Sequence, residues 1–336
     1  METETLFRAL ADPTRLRIMR LLAHLDLAVG ELAQVLGQSQ PRVSRHIAIL
    51  CASGLAERRR EGSWIFLRHA VSSNSPLGTH AAVARLLDAC EAQDAEFAAR
   101  CAEDRRHLAA IRAAREERAA QYFARHAGEW DAMRAMLCPP GKVENALKAA
   151  LGAGSLGHLL DIGTGTGRIA DLLADQADHV VGFDRSPEML GLARARLQDQ
   201  PVERWELVQG DFSSLPFPAA SFDTITLHQV LHYAANPALP LAEAGRVCRP
   251  GGRIAIVDLA AHEREELRER HAHTRLGFSD EQMLGWLSAS GFAAQAPLVL
   301  PGRGLTTKIW IATRQPAATG AQSAEGASAG EEAARD

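Results

Sequence analysis

A glycine-rich turn set between two carboxylates is the part of this sequence best placed to do chemistry. Residues 158–190 read HLLDIGTGTGRIADLLADQADHVVGFDRSPEML. Asp161 stands two residues ahead of Gly163, followed by Gly165 and Gly167, and the next apolar run ends in a second acid, Asp184. Glycines so spaced let a backbone turn sharply and approach a ligand that a Cβ would exclude. An acid in the place of Asp184 can accept from both hydroxyls of a ribose. The G-x-G-x-G spacing differs from the G-x-G-x-x-G of dinucleotide sites, and Asp161 would repel a pyrophosphate. A nucleoside that carries positive charge suits that carboxylate. A third acid, Asp211, follows another apolar run, with Phe212 beside it. His228, His232 and Tyr233 lie in HQVLHY, and their side chains are of types that can take a proton if one must leave. His271 and His273 in the charged insertion EREELRERHAHTRLGFSDEQMLGWL are further candidates.

These residues need a scaffold that brings strand ends to one edge. The sequence alternates apolar runs with amphipathic stretches. Strands are expected at Leu159–Ile162, His179–Phe183, Glu203–Val208 and Phe222–Leu227, then at RIAIVDL after a turn Arg249–Gly252. Lys308–Thr313 is expected to close the sheet antiparallel. Acids at the carboxyl ends of three successive strands match the rule that open α/β sheets bind ligands at that edge. On these motifs, residues 158–258 resemble a class I S-adenosylmethionine-dependent methyltransferase, whose cofactor joins a sulfonium and an ammonium to adenosine.

The resemblance implies an α/β Rossmann-like domain with a mostly parallel seven-stranded sheet. It also implies S-adenosyl-L-methionine held by Asp161, Gly163, Gly165, Gly167, Asp184, Arg185, Met189, Asp211, Phe212 and His228. His228, His232 and Tyr233 would be the catalytic candidates, acting on a small-molecule methyl acceptor. Tyr122-Phe123 and Trp130-Asp131 are similar to the N-terminal helix that covers the cofactor in such enzymes; core packing accounts for them equally.

The first 70 residues follow a different logic. VGELAQVL stops at Gly37, a residue fit for a left-handed turn, and Ser39 opens a further helix, PRVSRHIAILCASG. Two short helices joined through a glycine turn are a helix-turn-helix. Gln38, Ser39, Gln40, Arg42, Ser44, Arg45 and His46 stand at the front of its second helix and are of the types that meet phosphates and base edges. LAERRR and SWIFLRHA form a hairpin around Glu61-Gly62, carrying Arg58, Arg59 and Arg60 as a wing along a DNA backbone would. Ten arginines face seven acids here. The segment resembles the winged-helix domain of ArsR-family repressors, which implies double-stranded operator DNA as partner and a homodimer. LDLAVGELA lacks the thiolates of the metal-sensing members, so a soft-metal site there is not expected. Cys51 reads as a small core residue.

The fold class expected is therefore an α+β winged helix-turn-helix domain followed by an α/β methyltransferase domain. Expected boundaries are 1–72 for the DNA-binding domain, 73–135 for a helical linker or dimerisation region, 136–314 for the methyltransferase domain and 315–336 for a disordered tail. The span from His80 to Met136 is rich in Ala, Arg and Glu and should form one or two long helices, with Cys90 and Cys101 on one face. At 336 residues there is room for two domains, and the net charge of −4 averages unlike segments. Five scattered cysteines make no disulfide framework or zinc site, and neither a signal peptide nor an eighteen-residue apolar run is present, so a cytoplasmic protein without a membrane role is expected.

Two functions fit: a DNA-binding regulator with an active methyltransferase, or a non-catalytic sensor of S-adenosylmethionine or S-adenosylhomocysteine that controls DNA binding. DNA methylation is disfavoured, because neither the N/D-P-P-[YF/W] motif nor a Pro-Cys nucleophile occurs. His271-x-His273 near His262 has no carboxylate or thiolate at helical spacing, and no metal is expected.

Overall fold

A computed structural model describes residues 3–23, 27–61, 64–69, 79–130, 140–302 and 304–316. Helices α1 (Thr3–Leu10) and α2 (Pro13–Leu22) are divided at Asp12, whose carboxylate accepts from the Arg15 amide at 3.0 Å and caps α2. Helix α3 (Val29–Leu36) ends at Gly37, where φ is 63°. Helix α4 (Gln40–Ala52) begins after Ser39, which holds the N-cap position without a side-chain capping bond. A sheet of β1 (Leu27–Ala28), β3 (Trp64–His69) and β2 (Ala56–Glu61), in that order, completes the unit. The expected hairpin is present, with Ala56 opposite His69 and Glu61 opposite Trp64; its turn residues 62–63 lie outside the described residues. Ile18, Leu32, Val43, Ile47, Leu50 and Leu67 are buried in one core, and Cys51 packs against it as expected.

The alanine-rich span divides into α5 (Thr79–Gln93) and α6 (Ala95–His126). The break is chemical: Asp94 accepts from the amides of Glu96 and Phe97, each at 3.0 Å, and starts a new helix. Cys90 and Cys101 thus lie on different helices, Cys90 exposed and Cys101 buried, rather than on one face. Charged groups tie α5 and α6 to the first unit. Arg17 grips buried Asp104 with two hydrogen bonds of 2.7 and 2.5 Å, and Arg20 reaches Asp88 and Glu91, each at 2.6 Å.

The second unit is a sheet running β10 (Leu298–Pro301), β11 (Thr306–Arg314), β8 (Cys248–Leu259), β7 (Phe222–His228), β4 (Gly157–Ile162), β5 (Ala177–Asp184), β6 (Trp205–Gln209). Short β9 (Phe292–Ala294) pairs with β11 off this seven-strand path. Strands β4 to β8 pair in parallel and β11 lies antiparallel to β8. Their residues alternate between two cores, as a strand buried on both faces requires. Leu159, Val180 and Val257 meet α7 (Pro140–Leu151) and α8 (Arg168–Leu173) on one face; Leu160, Val181 and Ile256 meet α10 (Ala238–Val247) and α12 (Asp280–Ala289) on the other.

Three expectations shift. Val202–Arg204 form a 3₁₀ turn, so β6 starts at Trp205 rather than Glu203. Arg249–Gly252 loop out within β8, since Phe222 pairs with Cys248 but Thr224 with Arg253. β11 does not close the sheet, because β10 lies outside it. The strand order reverses between β4 and β7, which opens a crevice at their carboxyl ends. The tail from residue 317 lies outside the described residues.

Candidate functional site

The crevice is built from the loop after β4. Gly163 takes φ 72°, and a Cβ there would stand 2.3 Å from Val230 Cγ2, so the protein itself excludes any side chain. Gly165, φ 54°, meets no such wall: the nearest atom to a Cβ is the Trp130 indole nitrogen at 3.9 Å, covering the loop from above. Gly167 starts α8 and packs closely on Ala193 of α9 (Pro187–Leu197). The loop is held to the second strand by its acid. Asp184 Oδ2 accepts from the Gly165 amide at 2.7 Å and Oδ1 from the Ser186 amide at 2.9 Å. Burial raises the Asp184 carboxyl above its ordinary range, against backbone donors of Ser186, Gly165 and Arg185 that favour its ionised form. Each carboxylate oxygen retains a second lone pair for a ligand hydroxyl.

The other cofactor candidates surround this point unequally. Arg185 is exposed and stands 4.0 Å from Asp211. Asp211 accepts from the Ser213 amide at 2.8 Å, and Phe212 is half-buried beside it. Met189 is buried in the first turn of α9, whose cap is Ser186. Asp161 is buried within the sheet and accepts from the Thr226 hydroxyl of β7 at 2.6 Å.

The catalytic candidates lie across the crevice. His228 ends β7, buried, opposite Val257. Gln229 then takes a left-handed φ of 54°, a conformation that costs a non-glycine residue about 1–2 kcal/mol. It turns the chain so that His232 and Tyr233 project beside β8. There His232 Nδ1 lies 2.7 Å from Asp258 Oδ1, both groups buried. Asp258, at the carboxyl end of β8, also accepts from the amides of Leu259 at 2.8 Å and His232 at 3.3 Å. The insertion after β8 folds back here. Thr274 and Arg275 donate their amides to the His232 carbonyl, and buried His273 stacks on His232 with ring centroids 4.1 Å apart and planes at 28°. His271, just before a second left-handed non-glycine position, Ala272, shares a 3.0 Å hydrogen bond with the Tyr122 hydroxyl.

Burial, with the charge of His232 next, lowers His262 to about 4, and the same two causes lower His273. Both stay neutral. The end of α6 closes the crevice with rings: Phe123 packs edge-on to Tyr233 at 4.8 Å and to Trp130 at 5.2 Å. Asp131 lies outside the described residues. Among the described residues no group of three or more His, Cys, Asp or Glu could hold a metal ion.

Asp258 is the functional-looking group that the sequence reading passes over, counted only as part of RIAIVDL. Its signal is an acid at the carboxyl end of an apolar strand, the same mark carried by Asp184.

On the first unit, Ser39, Gln40, Arg42, Arg45 and Arg58 are exposed and Ser44 half-buried. Gln38 and His46 turn inward: Gln38 Nε2 donates to Thr14 Oγ1 at 3.2 Å, and His46 Nδ1 lies 3.6 Å from Asp12. Arg59 and Arg60 belong to β2, with side chains outside the described residues.

Comparison with known proteins assigns both units. Residues 12–58 match the family of bacterial regulatory proteins called the arsR family, and residues 160–256 match the methyltransferase domain family. A demethylmenaquinone methyltransferase from Tropheryma whipplei is 38% identical over 103 residues, 31% of this chain and 42% of that protein. A phosphatidylethanolamine N-methyltransferase from Cereibacter sphaeroides is 35% identical over 136 residues, 39% of this chain and 64% of that protein. The chain thus spans less than two thirds of these relatives' length. A chain of the Haloferax volcanii complex between the Trm112 methyltransferase activator and a methyltransferase is 20% identical, with a TM-score of 0.50 over 58% of this chain and 98% of that one; this likeness is one of fold.

Proposed function

We propose that this chain, an ArsR-family helix-turn-helix followed by a Rossmann-like methyltransferase domain, is a DNA-binding transcriptional regulator that binds S-adenosylmethionine and methylates a small molecule. The observation that carries the cofactor reading is Asp184, aligned at the end of β5 by the Gly165 and Ser186 amides, with the indole of Trp130 beside Gly165. Gly163, Gly165, Gly167, Arg185, Met189, Asp211, Phe212 and His228 complete that pocket, and Asp161 braces it from within the sheet. His228, His232 and Tyr233 line the acceptor side. Ser39, Gln40, Arg42, Ser44, Arg45 and Arg58 form the DNA-reading surface, with Arg59 and Arg60 on the wing.

The unit boundaries proposed are 1–72, 73–135 and 136–314. Homodimerisation is supported by Phe7 and Leu86, which stay 58% and 48% exposed in the single chain. Among the described residues no helix is long and apolar enough to cross a membrane, which fits the proposed cytoplasmic regulator.

A second reading, the ligand sensor, draws on α6. One helix of 32 residues, about 48 Å long, is clamped to α2 through Arg17–Asp104 and ends in the rings over the glycine loop. A ligand that reorders those rings acts directly on a helix fixed to the DNA-reading unit.

The test is a titration of DNA from upstream of the gene with purified protein at fixed salt, without ligand, with S-adenosylmethionine and with S-adenosylhomocysteine. A several-fold shift with one ligand supports coupling and favours the sensor. Equal binding in all three leaves the enzyme reading, and no binding of DNA at all removes the regulator.

A further inference from the structure

The methyltransferase reading leaves open what the acceptor is, and the histidine cluster beside β8 narrows it. Asp258 receives backbone N–H groups on both oxygens, from Leu259 on Oδ1 and from His232 on Oδ2. Both oxygens thus act as acceptors, so the 2.7 Å contact to His232 is a hydrogen bond donated by Nδ1–H. In its neutral form this imidazole carries its lone pair on Nε2. That atom is buried and makes no hydrogen bond to any described residue. A buried polar atom left so is costly unless it has a task.

Its surroundings define the task. His273 stacks on one face of His232, both its ring nitrogens also without a partner among the described residues, and Tyr233 lies 4.1 Å from His232. Phe123 and Trp130 continue the wall from Tyr233 to the glycine loop. The strained residues Gln229 and Ala272 bracket this arrangement, one leading into His232 and the other into His273.

We propose that His232 is the general base that takes a proton from the methyl acceptor, with Asp258 as its positioning residue, and that the acceptor is a planar molecule bearing an acidic hydroxyl, a phenol or an enol. This rests on the methyltransferase function proposed above. In the step, the hydroxyl oxygen forms its bond to the methyl carbon while the carbon–sulfur bond of the sulfonium breaks and its electron pair stays on sulfur. The O–H electrons remain on oxygen and the proton moves to His232 Nε2. The resulting imidazolium is paired with Asp258.

The choice of hydroxyl follows from matching. A neutral imidazole is a base suited to a phenol or an enol, whereas an aliphatic alcohol is a far weaker acid. The flat wall of Tyr233, Phe123 and Trp130 suits a planar ring. The charged and titratable groups around His232 are Asp258 from β8, hydrogen-bonded to it, Tyr233 and His273 in ring contact, and His262, to which it is coupled by charge.

The experiment uses the full chain saturated with S-adenosylhomocysteine and 4-nitrophenol as probe, at a pH below the probe's own pKa. Binding that delivers the proton to a base turns the probe into its yellow phenolate. The expected result is phenolate absorbance above that of free solution, returning to the free-solution value in His232→Gln and reduced in Asp258→Asn. In parallel, nitrogen chemical shifts of histidine-labelled wild-type protein report the His232 tautomer, expected as Nδ1–H with a bare Nε2. A His232 found as Nε2–H overturns the base whether or not the variants fold. Failure of 4-nitrophenol to bind overturns the acceptor class. Bound probe without added phenolate, or phenolate undiminished in His232→Gln, overturns the base assignment. Failure of S-adenosylhomocysteine itself to bind in calorimetry would instead remove the cofactor reading on which the proposal stands.

Discussion

Acidification should unfold the second unit through two imidazoles that the fold keeps neutral. Burial, then the charge of His232, holds His262 down at about 4, and His273 is lowered by the same causes. In the unfolded chain each returns to about 6.5. Between those values the unfolded state binds more protons than the folded one, so stability rises with pH through that window. The contribution is complete above pH 6.5 and is lost as the solution is acidified. Between pH 7.5 and pH 5 the linkage relation gives a loss of about 2 kcal/mol per histidine, or about 4 kcal/mol if the two protonate independently. The sum changes little with the folded values, because both lie below pH 5. For half-buried His262, solvent screening makes its share an upper value.

The assay is urea unfolding of the full chain at both pH values, followed by tryptophan fluorescence. Trp130, Trp205, Trp286 and Trp310, four of the five tryptophans, report on the second half. His273→Gln should remove about half of the pH-dependent loss, and His262→Gln with His273→Gln most of it; comparing variants cancels the carboxylates. If wild type and double variant lose the same stability between pH 7.5 and pH 5, the imidazoles are not held neutral and the reasoning fails.

Other perturbations separate the remaining parts. Gly163→Ala places a Cβ 2.3 Å from Val230 Cγ2 at φ 72°, and calorimetry should find S-adenosylhomocysteine affinity at least tenfold weaker, only partly restored by Val230→Ala. Asp104→Ala leaves the mostly buried Arg17 guanidinium without its carboxylate and should cost about 3 kcal/mol, read as faster hydrogen exchange in α2; Arg17→Met together with Asp104→Leu should recover most of it. Arg45→Ala should weaken operator binding and lower the slope of log affinity against log salt by about 0.9; an unchanged slope would place Arg45 away from the phosphates.

What the sequence discloses and what it hides divide along a physical line. Gly163, Gly37 and Asp184 are legible because a backbone conformation or a strand end demands one residue type at one position. Pro13 after Asp12 marks a helix start for the same local reason. Asp94 carries an equally local signal, a capping carboxylate inside an otherwise helical span, and it is easily passed over among so many charges. His232 and Asp258 each carry a local mark, but their pairing has none. It depends on β7 and β8 lying side by side and on a return of the chain at residues 272–275, contacts made across 26 residues and more. The inward turn of His46 toward Asp12 is hidden likewise, since composition alone assigns any polar residue at that helix front to DNA.

Helix α6 has no seam. Leu108 and Ile111 complete the core of the DNA-reading unit, while Tyr122 and Phe123, a few turns on, complete the wall of the crevice. A fragment ending at Ile111 keeps the first core; one starting at Ala127 leaves the second unit without the rings of Tyr122 and Phe123. The helix also fixes an angle between its two ends. One residue inserted between Ile111 and Tyr122 would rotate the rings by about 100° relative to Asp104, whereas four would return them close to their original direction one turn further along. The two units are therefore joined in phase as well as in length, and a chimera made at this helix keeps both only when it counts residues by whole turns.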